Sequence, residues 1–188
     1  MTESVRSRRL IHHEMQRAQG EFHALLECAS LEDLARATNG TRWTNRELLF
    51  HMLFGYLITR NLLVVVKLVA RLPKPAQRGF AALLNAGARP FHQVNYWGSR
   101  AGARAISVSR MREWFDRVIG SLQRHLDAET EHGLRRHMPF PTRWDPFFTG
   151  GMSVADVYHY ATQHFDFHRE QLTLAQGPTT RRAGTPDS

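Results

Sequence analysis

The residues best suited to chemistry stand near the end of the chain, in SVADVYHYATQHFDFHREQL, where His164 and His168 are four apart. On a helix that spacing turns both imidazoles to one face. At about 100° per residue, Val157, Ala161, His164, His168, Gln171 and Ala175 share a side that is mostly small and apolar, so it should face a core. An imidazole buried there without a partner is costly, so the pair either packs with satisfied nitrogens or holds a metal. By itself an H-x-x-x-H pair does not decide between these. A third inward histidine favours the metal: His51 interrupts the otherwise apolar stripe Leu48, Gly55, Ile58, Leu62 and Val65. Depth agrees as well. His51 lies roughly 9 Å from the start of its helix, and His164 and His168 roughly 15 and 21 Å from the start of theirs. In antiparallel helices about 30 Å long, these levels match to within about a turn. Three neutral imidazoles suit a divalent transition metal, zinc and nickel ahead of iron and copper, and leave positions open for water or substrate.

The remaining histidines and acids rank lower. His159 sits about 140° from His164 and belongs to another face. His12 and His13 flank an apolar stripe and should meet solvent, and His125 falls near the end of its helix away from His51. Glu14, at the edge of the same first stripe, is the carboxylate best placed to support the site or shuttle a proton, though a plain surface glutamate would read the same way.

Four long helical patterns must position these groups, and strand signals are nearly absent. The first carries Ile11, Met15, Ala18, Phe22 and Leu25 and fades after Cys28. The second opens at TNRE, with Thr44 and Glu47 forming a capping box, and runs to about Leu72 before PKP. The third bears Met111, Phe115, Val118, Leu122 and Leu126; the fourth starts at Ser153, with Asp156 three residues on, and should reach about Ala175. Between the second and third lies a long stretch, residues 73–107, with a short helix expected around Phe80–Leu84. A connector of that size can cross the bundle, which predicts an all-α four-helix bundle, up-down-down-up, over residues 8–176, followed by a loose tail at 177–188. Asn95, Tyr96, Trp97 and Arg100 of the crossover, with Trp144 and Asp145, could shape a mouth or merely pack over the bundle end.

Composition limits the classes. The single cysteine excludes an internal disulfide, and the N-terminus shows no apolar signal core, so a cytoplasmic protein is expected. The apolar run of the second helix is broken by His51, Arg60, Asn61 and Lys67, which argues for a buried helix over a transmembrane span. The formal charge of +8 comes from scattered arginines, without the dense basic stripe that nucleic-acid binding would need.

WTNRELLFHMLFGY and QHFDFHREQL resemble the two signature regions of the DinB/YfiT-like metalloprotein superfamily. Its pattern places one histidine on the second helix, then H-x-x-x-H followed by Arg, a variable residue and Gln, here His51, His164, His168, Arg169 and Gln171. Many relatives carry a histidine where this chain has Phe167, a position that the pattern does not use as an essential ligand. The resemblance spans roughly Leu10 to Leu174 and implies the fold and the metal. It further implies a thiol-dependent transferase using mycothiol, bacillithiol or a similar low-molecular-weight thiol on a small-molecule substrate. The Arg- and Ala-rich composition fits a high-GC organism and hence mycothiol. In that chemistry a metal-bound thiolate attacks an electrophile, and Arg100 meets a carboxylate at the mouth. Two other classes stay open: a metal-dependent hydrolase in which Glu14 or a loop acid moves protons, and a non-catalytic bundle whose apolar second helix lines a ligand pocket or a homodimer interface.

Overall fold

The computed structural model describes residues 3–174, so the tail expected at 177–188 lies outside the described residues. Four long helices form where the apolar stripes require them: α1 (Glu3–Cys28), α3 (Asn45–Val69), α6 (Val108–Asp127) and α8 (Val154–Arg169). Short α2 (Leu31–Ala35) and α7 (Glu131–Leu134) fill two of the connections. Strands β1 (His137–Pro139) and β2 (Gly151–Ser153) pair antiparallel and bracket the loop of residues 140–150. Both expected capping boxes are present, Thr44 with Glu47 and Ser153 with Asp156, and Ser30 with Asp33 makes a third. Each satisfies backbone N–H groups that the first helical turn leaves without partners.

Contacts between helices fix their directions. His12 bonds Asp127, Gln19 bonds Asp116 and Glu27 bonds Arg112, so α1 and α6 are antiparallel. Glu14 meets His159, Arg17 meets Asp166 and Glu21 meets Arg169, so α1 and α8 run parallel. On α3, Arg46 donates to the Ile106 carbonyl just ahead of α6, Tyr56 packs on Phe115, and Lys67 pairs with Glu129 just beyond it, so these two also run parallel. His51 against His168 and Tyr56 against Thr162 make α3 and α8 antiparallel. The result is the up-down-down-up bundle. Its centre is a cluster of four rings, Phe22, Tyr56, Phe115 and Phe165, each fully buried.

Two expectations need correction. The crossover is not a loop with one short helix: it is helical almost throughout, as α4 (Lys74–Ala86) and α5 (Ala88–Ala105). Its prolines sit where helices tolerate them, Pro75 and Pro90 in first turns, where no intrahelical N–H partner is lost. Gly98, Ser99, Gly102 and Ala103 form a strip of small residues along α5 that lets it approach α3 closely. A Cβ at Gly102 would lie 2.1 Å from the Phe50 ring. Arg46 then ties α3 to the carbonyls of Ala103 and Ile106 at the end of α5. The fourth helix also ends early, at Arg169 instead of about Ala175. Beyond it the backbone bonds to the α2–α3 connection and the start of α3: Asn39 N–H donates to Gln171 O, Thr173 N–H to Asn45 Oδ1, and Arg36 Nη1 to Thr173 O.

The α3–α5 approach generates a stability test. Gly102→Ala should destabilise the protein by about 1–3 kcal/mol through overpacking against Phe50. Urea denaturation of the two proteins checks this, and an unchanged midpoint would show that Phe50 moves aside freely.

Candidate metal centre

His51 on α3 and His164 and His168 on α8 converge in the bundle interior, all three buried. One nitrogen from each lies within 4.8 Å of the others. The two Nε2 atoms of His51 and His168 are 3.2 Å apart. That is about the separation of two ligands sharing one ion at about 2.0–2.1 Å each.

Hydrogen bonds to the opposite edges decide the tautomers. Ser99 uses its proton on the Asn95 carbonyl, 2.8 Å away, so its oxygen accepts from His51 Nδ1–H at 3.2 Å. Gln171 Oε1 accepts from His168 Nδ1–H at 2.7 Å. Both Nε2 atoms are therefore bare lone pairs facing one another. Such an arrangement repels itself unless a cation lies between, and partners of this kind fix ring orientation in metal sites. The donor set thus fits a divalent transition ion.

Electrostatics point the same way. Burial, and then the neighbouring His164 and His168, push the His51 imidazole well below its ordinary 6.5. Burial brings His164 down to about 3, and burial also lowers His168 against the opposing bond from Gln171. All three are neutral, the form that ligates. The ring of His164 lies directly over Gly55, where a Cβ would stand 2.8 Å from Nδ1, so glycine is needed there for close approach rather than for backbone freedom. Trp43 stacks on His51, with centroids 4.4 Å apart, and seals the other side.

Beside the histidines lies a small cavity of about 30 Å³, bounded by Ile58, Phe91, Asn95, Asp145 and Tyr160 among others. That volume accommodates about two waters. Asp145 is its one carboxylate among the described residues. Its Oδ2 accepts from Tyr160 OH at 2.9 Å and stands 3.8 Å from His164 Nε2. Burial raises both the Asp145 carboxyl and the Tyr160 phenol, so Tyr160 stays a proton donor. Trp144 holds this loop down by stacking on Phe91 at 4.0 Å and donating Nε1–H to Leu84 O.

The other expected residues fall elsewhere. Glu14 is bonded to His159 Nδ1 at 2.7 Å on the α1–α8 seam, and none of its contacts reaches the three histidines. Arg100 binds Glu47 Oε1 through Nε at 3.1 Å and lies against Tyr96 and Trp97. The Glu47 bond raises its already high pKa. Trp97 is mostly exposed, whereas Asn95, Trp144 and Asp145 do line the cavity. His12 is bonded to Asp127 and His13 is exposed. Sequence reasoning missed Ser99, Trp43 and the anchoring role of Gln171. Only Gln171 carried a signal, its place three residues after His168.

An all-α bundle with an inward triad of histidines, open toward a cavity, defines a class of metal-binding protein. The chain belongs to the DinB superfamily, whose sequence pattern matches residues 14–172. No curated protein and no solved structure matches it.

Two predictions follow from the tautomers and the lowered pKa values. Three imidazoles of ordinary pKa would shed about two protons on binding an ion at pH 6.0. This site, already neutral, should release fewer than about one, a quantity read by calorimetry in buffers of different ionisation enthalpy. Release of two or more would mean that the apoprotein's histidines are solvated. Second, Ser99→Ala and Gln171→Leu should each weaken metal affinity about 10–100-fold while leaving the helical signal intact. Competition with a chromophoric chelator measures this.

Proposed function

We propose that this protein is a metal-dependent transferase that joins a low-molecular-weight thiol to a small electrophile. The observation that carries the reading is the pair of Nε2 atoms of His51 and His168 held 3.2 Å apart, with His51 and His164 lining a small cavity. His51, His164 and His168 would hold a divalent ion, with zinc or nickel suited to three imidazoles. Such an ion binds a thiol as thiolate near neutral pH, which supplies the nucleophile.

The chain's own groups would supply the rest. Ile58, Phe91 and Phe148 form an apolar side of the small cavity, which has room for the reacting end of an electrophile and not for a whole one. Tyr160 OH, donating to Asp145, can hold a proton at the cavity wall for the group that leaves or is protonated. Glu14, expected in that role, is spoken for by His159, so Asp145 takes its place in this proposal. A cytoplasmic setting, where thiol pools stay reduced, accords with the lone Cys28.

A hydrolase is the second reading, favoured by the same Asp145, whose raised pKa beside the histidines suits a group that takes a proton from water. The two separate cleanly by experiment. Metal-loaded protein is incubated with mycothiol, bacillithiol or glutathione and a panel of electrophiles. Adducts should form well above the protein-free rate. His51→Ala should abolish both metal binding and turnover yet remain folded, because the bundle core does not depend on the ion. Adduct rates at background with every thiol would overturn the transferase reading, and chelator-sensitive ester cleavage without thiol would establish the hydrolase instead.

A further inference from the structure

Outside the inner cavity lies a second, open groove of about 300 Å³. Gly40, Thr41, Arg42 and Trp43 form one side, and His92, Asn95 and Tyr96 of α5 form the other. Its floor and the metal centre share parts. Trp43 stacks on His51, Asn95 lines both spaces, and the loop's Asn39 N–H is bonded to Gln171 O, the residue that orients His168. The turn depends on Gly40, whose φ of +71° is left-handed and disfavours a side chain.

The groove is cationic in a particular way. Arg42 is exposed and lies over the Tyr96 ring at 4.4 Å, and among the described residues it meets no carboxylate. Stacking on an aromatic face holds the guanidinium flat and leaves its edge of N–H donors free. In the same wall the Trp43 indole N–H is buried and finds no acceptor among the described residues. His92 Nε2–H is already used on the Arg143 carbonyl. Arg100, the cation expected from the sequence to serve a carboxylate, is held by Glu47. The uncommitted cation facing the groove is therefore Arg42, not Arg100.

We infer that this groove binds a carboxylate of the small molecule processed at the metal centre, with Arg42 as its anchor. The inference rests on the proposed small-molecule reading of the site, and it names the charge of the ligand and the residue that meets it. A planar guanidinium takes a carboxylate through two parallel bonds, and the rest of the molecule points past Asn95, which lines both the groove and the inner cavity. Arg42 positions the ligand and touches none of the proposed metal ligands.

Calorimetry on the full-length, metal-loaded protein tests it with three probes: glutathione, S-methylglutathione and glutathione diethyl ester. Glutathione and S-methylglutathione should bind about tenfold more tightly than the diester, and Arg42→Ala should remove that preference, with Arg42→Lys keeping part of it. Metal affinity should be the same in all three proteins. Equal binding of acid and ester, undiminished acid binding in Arg42→Ala, or no binding of any probe would overturn the inference. A cobalt-loaded sample separates it from the thiol chemistry. If glutathione leaves the cobalt spectrum unchanged while S-methylglutathione still binds through Arg42, the groove stands and the transferase reading falls.

Discussion

The arrangement turns on the cost of burying neutral imidazoles. Each of three rings in the interior has two nitrogens, and each nitrogen needs either an acceptor or an electrophile. Ser99 and Gln171 take the outer N–H of His51 and His168, which leaves their inner lone pairs pointing at each other. Much of the rest serves that geometry. Helix α5 must lie close enough on α3 for Ser99 to reach His51, hence the small residues at Gly98, Gly102 and Ala103. Gln171, just past the end of α8, stays within reach of His168, three residues before it. Residue 55 must lack a side chain so that His164 can approach α3.

The bundle was largely legible in the sequence because its signals are local and periodic. The stripes of α1, α3, α6 and α8, two capping boxes and the depths of His51, His164 and His168 all depend on helical rise and turn alone. The crossover was harder to read. Its glycines and prolines look like loop punctuation, yet Gly98 and Gly102 are there for contact with Phe54 and Phe50, and the prolines occupy first turns. Periodicity cannot tell a glycine that breaks a helix from one that docks it.

The supporting residues were less legible still, for a related reason. Glu14 and Arg100 were reasonable on charge and position, but a charged side chain is claimed by whichever opposite group reaches it first. His159 claims Glu14, and Glu47, already fixed by its cap on Thr44, claims Arg100. Such pairings are made across 53 or 145 residues of chain, and no local pattern announces them. Asp145 reaches the cavity only because Trp144 pins its loop to α4 and α5.

The split of the triad between two helices also bears on how the protein folds and unfolds. His164 and His168 come together as soon as α8 forms, but an H-x-x-x-H pair alone is a weak ligand set. The site is complete only after α3 has docked, and His51 and His168 are 117 residues apart in the chain. A contact of that span carries a loop-closure cost that the pair on α8 does not. Where that docking follows the transition state, a bound ion slows escape from the native state and leaves the rate of reaching it nearly unchanged. Metal loading would then act chiefly on the lifetime of the folded protein.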